Sequence, residues 1–166
     1  MPEMKHTWEE IERRIRRSMA RVLDNDLWVL EHGPSERAVA HRLAVYIEQE
    51  FSGWSIDCEY NRQGDEGGRK KAVLNAYELP KAVDPDIIVH QRGPDGPNLL
   101  VIEVKPASSD ENDKEYDRQK LQAYLEKPHS YTFAVFLTYE CKEKAGRYEI
   151  NRIERRRDKW IKRQPA

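Results

Sequence analysis

A mixed α/β or α+β fold is predicted for this 166-residue chain, with a central mixed sheet of about four to five strands flanked by helices. Three observations predict it. Two apolar runs, Pro85–His90 and Leu99–Lys105, lie on either side of a segment rich in turn residues. A third run, Tyr131–Tyr139, is β-branched and aromatic. Stretches with apolar residues at helical spacing lie before and between these runs, and the first of them forms an extra N-terminal helix.

Thr7 with Glu10 fits a capping box, and Trp8, Ile11, Ile15, Met19 and Val22 continue at helical spacing to about Leu23. Asp24-Asn25-Asp26 and His32-Gly33-Pro34 bracket a short apolar piece, Leu27–Leu30. Ser35 is a good N-cap for a second helix with the stripe Val39, Leu43, Tyr46, Ile47 and Phe51, stopped by Ser52-Gly53. Trp54–Tyr60 alternates apolar and polar residues and reads as a half-buried strand. The Gly-rich, charged stretch Gln63–Lys71 reads as a loop or flap.

Arg92-Gly93-Pro94-Asp95-Gly96-Pro97 is turn chemistry, so the two runs around it form an antiparallel hairpin. A third helix follows Ser108–Lys114, with the apolar face Tyr116, Leu121, Tyr124 and Leu125, and closes at Pro128. Tyr148–Ile153 reads as a last strand or as the approach to a basic C-terminal helix. The whole is one domain: an N-terminal helical extension (1–34), a core (35–140) and a basic C-terminal segment (141–166).

Charged residues make up 36% of the chain and the net charge is −1, but the charge is unevenly placed. Seven basic and two acidic residues fall between Arg152 and Arg163, a tail suited either to a polyanion or to a solvated helix end. The two cysteines, Cys58 and Cys141, are far apart and suggest neither a zinc site nor a disulfide framework. No apolar stretch approaches the roughly 20 residues a membrane span needs, and the polar start is unlike a signal peptide. The expectation is a reduced, cytoplasmic protein with no membrane partner. No His-x-x-x-His, Gly-x-Ser-x-Gly or P-loop pattern occurs, so zincin, serine hydrolase and NTPase readings have no footing.

The informative feature is the pair of charges inside the most apolar run. Strand side chains alternate, so Val101, Glu103 and Lys105 share one face of Leu99–Lys105. Burying an unpaired carboxylate or ammonium costs several kcal/mol, which a chain incurs where it uses the charges. If the two runs pair, Asp86 joins Glu103 and Lys105 at one place. Two carboxylates and a backbone carbonyl suit Mg²⁺, and a lysine suits the charge building on a phosphate.

At these residues the chain resembles the PD-(D/E)XK, or restriction-endonuclease-like, nuclease superfamily. Pro85-Asp86 matches the first half of its motif, and Glu103-Val104-Lys105 the second. Glu36 matches the acid that many members place beside the metal, and Lys120 falls where members often carry a further polar or basic residue. The expected element order from Ser35 to Tyr139 is similar to the superfamily's common core. The resemblance implies cleavage of DNA with Mg²⁺, for which Mn²⁺ would substitute. Asp86, Glu103 and the Val104 carbonyl would be ligands, Lys105 the base or stabiliser, and Glu36 an accessory acid.

Arg69-Lys70-Lys71, Lys120 and Arg155-Arg156-Arg157, with the arginines of Arg13–Arg21, are candidate contacts to a nucleic-acid backbone. Plainer readings stand beside these. Glu103 and Lys105, about 6.6 Å apart along a strand, make an ordinary ion pair on an exposed face. Asp86 is a strand-entry residue, Glu36 answers a helix dipole, and Lys120 is a solvated lysine. His90 shares the Asp86 face, either at the site or as a structural histidine. At the level of function, the alternatives are a non-catalytic nucleic-acid-binding or protein-interaction module on the same fold, or an accessory subunit of a defence or repair complex. A homodimer or a partner protein is compatible with either.

Overall fold

Thr7 and Ser35 open the first two helices of the computed structural model, which describes residues 5–59, 72–73, 81–82 and 84–156. Helix α1 spans Trp8–Glu31, and Thr7 accepts a hydrogen bond from the Glu10 N–H at 3.3 Å. Only half of the expected capping box forms, because the Glu10 carboxylate turns to Arg14 and to His6, 3.4 Å away. The expected end near Leu23 is overturned: α1 continues through Asp24-Asn25-Asp26 and kinks at Asp26 (φ −124°, ψ 19°). Asp26 breaks the regular geometry but not the helix, because its carboxylate is held from outside. The Tyr46 hydroxyl donates to Asp26 Oδ2 at 2.6 Å, and Arg42 Nε lies 3.0 Å from Oδ1. Both partners sit on helix α2, Glu36–Glu50, whose first turn is capped by Ser35 Oγ accepting from the Ala38 N–H at 3.2 Å.

The strands follow in order: β1 (Ser55–Cys58), β2 (Ala72–Val73), β3 (Lys81–Ala82), β4 (Ile87–His90), β5 (Asn98–Pro106), β6 (Phe133–Tyr139) and β7 (Tyr148–Ile153). Helix α3, Glu111–Leu125, separates β5 from β6. The two-residue strands β2 and β3 pair only with each other, while the main sheet has the order β1-β4-β5-β6-β7. Its β1/β4, β4/β5 and β6/β7 pairs are antiparallel, and β5/β6 is parallel, as a helical crossover requires. The hairpin β4/β5 turns where expected. Gly96 is needed there, since a Cβ would stand 1.9 Å from the Gln91 carbonyl oxygen. Tyr148–Ile153 is thereby a strand, and the expected Trp54–Tyr60 strand is the shorter β1. Gln63–Lys71 and Tyr60 lie outside the described residues.

The sheet divides two apolar layers. On one side α1 and α2 bury Ile15, Met19, Leu43 and Ile47 against Ile87, Val89, Leu100, Ile102, Val104 and Leu137. On the other, α3 buries Leu121, Tyr124 and Leu125 against Ile88, Val101, Ala134 and Phe136. The β5 alternation therefore runs as expected, with Val101, Glu103 and Lys105 toward α3. Tyr116 does not belong to the α3 apolar face, being 41% exposed. Positions 117, 121, 124 and 125 fall on one stripe at helical spacing, and Tyr116 is one residue, or about 100°, off it. Asp117 takes the buried place. Among the described residues no helix is long and apolar enough to cross a membrane.

Asp26→Ala removes the partner of both Tyr46 and Arg42 across the α1/α2 contact. It is expected to lower the free energy of unfolding by about 1–3 kcal/mol in urea denaturation, with Tyr46→Phe costing less.

Candidate metal and active site

The site is built where β4 and β5 run side by side above α3. Ile87 pairs with Ile102, so the next residues outward, Asp86 and Glu103, meet on the α3 side. The Val104 N–H donates to Asp86 Oδ2 at 2.8 Å, which fixes that carboxylate beside the strand. A residue's N–H and C=O point to the same edge of a strand, so the Val104 carbonyl also faces β4. The Asp86 and Glu103 carboxyl groups are close enough for each to shift the other's pKa.

Glu103 is 1% exposed in the middle of the sheet, and burial with the Asp86 charge pushes its pKa well above the usual carboxylate range. Burial raises Asp86 as well, against the opposing pull of the Glu103 and Val104 hydrogen bonds. Burial thus favours a proton on this pair of carboxyls.

Two lysines answer these charges. Lys120 Nζ lies 3.1 Å from Glu103 Oε1 and 3.4 Å from Asp117 Oδ1. Lys105 Nζ lies 3.0 Å from Asp117 Oδ2 and 3.3 Å from Glu36 Oε1. From Glu103 the charges alternate through Lys120, Asp117 and Lys105 to Glu36, with Asp86 beside Glu103 at the inner end. Burial lowers the pKa of each lysine, but the facing carboxylates outweigh it, so both are raised above the ordinary value and stay protonated. The Lys120–Glu103 contact is an ion pair without an aligned hydrogen bond, which leaves Glu103 Oε1 as a buried acceptor with unused capacity.

Of the sequence-predicted site residues, Asp86, Glu103 and the Val104 backbone stand together, and Lys105 joins them through Asp117 and Lys120. Glu36 reaches the cluster only through Lys105, from the first turn of α2. Among the described residues no three acidic, histidine or cysteine side chains are grouped as a metal cage. Two carboxylates with a backbone carbonyl are the kind of oxygen set that a hard cation keeping several waters would accept.

Lys120 lies inside the cluster, its side chain 13% exposed, and is not a solvated helix lysine. His90 does not touch the site: it stands at the far end of β4, with Nε2 2.7 Å from Asp57 Oδ2, where Arg92 also binds. Asp117 is the residue sequence reasoning missed. Its signal was there, since it precedes Leu121 by four and Tyr124 by seven residues on the buried stripe.

The candidate nucleic-acid contacts divide. Arg155 and Arg156 are exposed. Arg69, Lys70, Lys71 and Arg157 lie outside the described residues. Along α1, Arg14 pairs with Glu10, Arg16 with Glu12 and Arg17 with Glu50, leaving less free charge than their number suggests, while Arg21 donates to the neutral Gln49 amide.

The raised Glu103 pKa has a signed consequence. A carboxyl whose folded pKa exceeds its unfolded value binds its proton more tightly in the folded state. It costs stability as pH climbs from about 4.5 toward the raised value. With a chelator present, stability should fall across that window, and Glu103→Gln should flatten the fall by up to about 1.4 kcal/mol per pH unit. Urea titrations at a series of pH values measure it.

Comparison of the chain with protein-family models, with curated proteins and with solved structures yields no match, so the reading rests on the arrangement of these side chains.

Proposed function

We propose that this chain is a Mg²⁺-dependent nuclease that hydrolyses DNA phosphodiester bonds on a restriction-endonuclease-like core. The observation that carries the reading is the meeting of Asp86 and Glu103 on adjacent antiparallel strands, with Lys105 two residues on along the same face. The order helix, three sheet strands, helix, strand from α2 to β6 supports it, as does the mixed sheet.

Asp86, Glu103 and the Val104 carbonyl would hold the cation, which supplies polarisation of a phosphoryl oxygen and an acidified water, with Mn²⁺ substituting. Lys105 is held protonated by Asp117 and Glu36, so it acts as a stabiliser of charge on the phosphate and not as a base. Asp117 orients that ammonium. Glu36, at the exposed edge, steers Lys105 and does not bind the cation. Arg155 and Arg156 supply exposed positive charge for the DNA backbone.

A second reading, a non-catalytic nucleic-acid-binding module, draws on one observation: Lys120 neutralises Glu103 from within the fold, as a purely structural ion chain would.

Nicking of supercoiled plasmid by purified protein in Mg²⁺ decides between them. Glu103→Gln and Lys105→Ala are each expected to slow nicking by about two to three orders of magnitude, with unchanged circular dichroism. Equal nicking by both variants, or none by the parent in Mg²⁺ or Mn²⁺, would overturn the nuclease reading.

A further inference from the structure

Lys120 stands against Glu103, one of the two carboxylates that would hold the cation on the reading proposed above. Its ammonium lies 3.1 Å from Glu103 Oε1, inside the sheet-helix layer and with the side chain 13% exposed. Oxygen ligands of Mg²⁺ sit at about 2.0–2.1 Å, so an ion on the Asp86/Glu103 pair would press close against Nζ. Two like charges at that distance in a poorly solvated place repel strongly. One of them has to give way.

We propose that Lys120 is a displaceable internal cation that competes with the divalent ion for Glu103, and that Asp117 is the positioning residue that receives it. This deepens the nuclease reading and rests on its metal site.

The arrangement provides for the exchange. Asp117 is 5% exposed and offers one oxygen to each lysine: Oδ2 to Lys105 at 3.0 Å and Oδ1 to Lys120 at 3.4 Å. Lys120 can therefore leave Glu103 and close on Oδ1 while Lys105 keeps Oδ2. The Tyr116 ring, 5.7 Å from Nζ, lies at the more exposed side of the same helix and favours an ammonium over its face. The Lys120–Glu103 contact is itself the easier one to break, since it lacks the alignment of a hydrogen bond. Spacing makes the hand-off short: Asp117 and Lys120 are three residues apart on one helix, neighbours on its surface. Lys120 thus keeps Glu103 from standing as an uncompensated buried charge, and it sets the cation concentration at which the site fills.

Calorimetric titration with Mn²⁺ alone, without DNA, tests this. Lys120→Gln keeps a hydrogen-bond donor to Glu103 but removes the competing charge, and should tighten Mn²⁺ binding by about tenfold. Lys120→Arg keeps the charge and should bind no tighter than the parent. Asp117→Asn should weaken binding several-fold in the parent, and by clearly less when combined with Lys120→Gln, because there is then no ammonium to receive. This variant also gives an independent result if Lys120→Gln folds poorly.

Parental binding left unchanged or weakened by Lys120→Gln would overturn the hand-off while leaving the metal site standing. So would an equal cost of Asp117→Asn in both backgrounds, or unchanged or tighter binding by Asp117→Asn alone. Absence of Mn²⁺ binding at millimolar concentration in both the parent and Lys120→Gln would overturn the hand-off and the metal-dependent reading together.

Discussion

Glu103 sits in the central strand of a five-stranded sheet with 1% of its surface exposed, beside the like charge of Asp86, and a linked set of lysines and carboxylates on α3, β5 and α2 makes that tolerable. An ionised carboxylate in such a position is strongly disfavoured unless it is paired and hydrogen-bonded. The fold answers with Lys120 on α3, 3.1 Å away, and that half-buried lysine has Asp117 one turn earlier on the same helix. Asp117 in turn faces Lys105, and Lys105 faces Glu36 at the start of α2. The rotational setting of α3 against the sheet, the position of the α2 N-terminus and the hairpin register thus meet at one group. Apolar packing alone would accept several rotations of α3; the buried carboxylate is satisfied by one that brings positions 117 and 120 inward.

The sheet and the hairpin could be read from the chain because their signals are local. Leu99–Lys105 alternates with period two, and the Arg92–Pro97 segment is made of residues that turn. Register then followed from the apolar pattern, since a slip by one residue would turn Glu103 to the α1/α2 side. What escaped reading depends on partners distant in sequence. Asp24-Asn25-Asp26 looks like a helix end, and becomes a kink only because Tyr46 and Arg42, about twenty and sixteen residues on, hold Asp26 in place. Asp117 and Lys120 look like solvent-facing residues of a charged helix. Their inward setting is decided by Glu103 across the layer, and Tyr116 drew the apolar stripe one position aside.

Charge on α1 carries the same lesson in the opposite direction. Five arginines between Arg13 and Arg21 suggest an anion-binding face, yet four have partners on α1 or α2. Pairs at i, i+4 are worth only tenths of a kcal/mol each, so they shape the helix surface more than its stability. They also reduce the positive field that a phosphate backbone would meet there. Arg155 and Arg156, just beyond β7, are exposed.

Lys105 and Lys120 look interchangeable by composition, exposure and the shared Asp117, but their second partners separate them. Lys120 is tied to Glu103, the carboxylate enclosed by the sheet, and any cation entering there contends with it directly. Lys105 is tied to Glu36, which is 42% exposed, so its ammonium stands at the boundary between the enclosed cluster and the solvent. If the chain acts on a phosphodiester, a group at that boundary could meet the phosphate without leaving its own carboxylate, whereas a group behind it would act on what the phosphate finds bound. On the nuclease reading proposed above, the order of the ion chain, from enclosed Glu103 to exposed Glu36, would give the inner lysine to the cation and the outer lysine to the substrate.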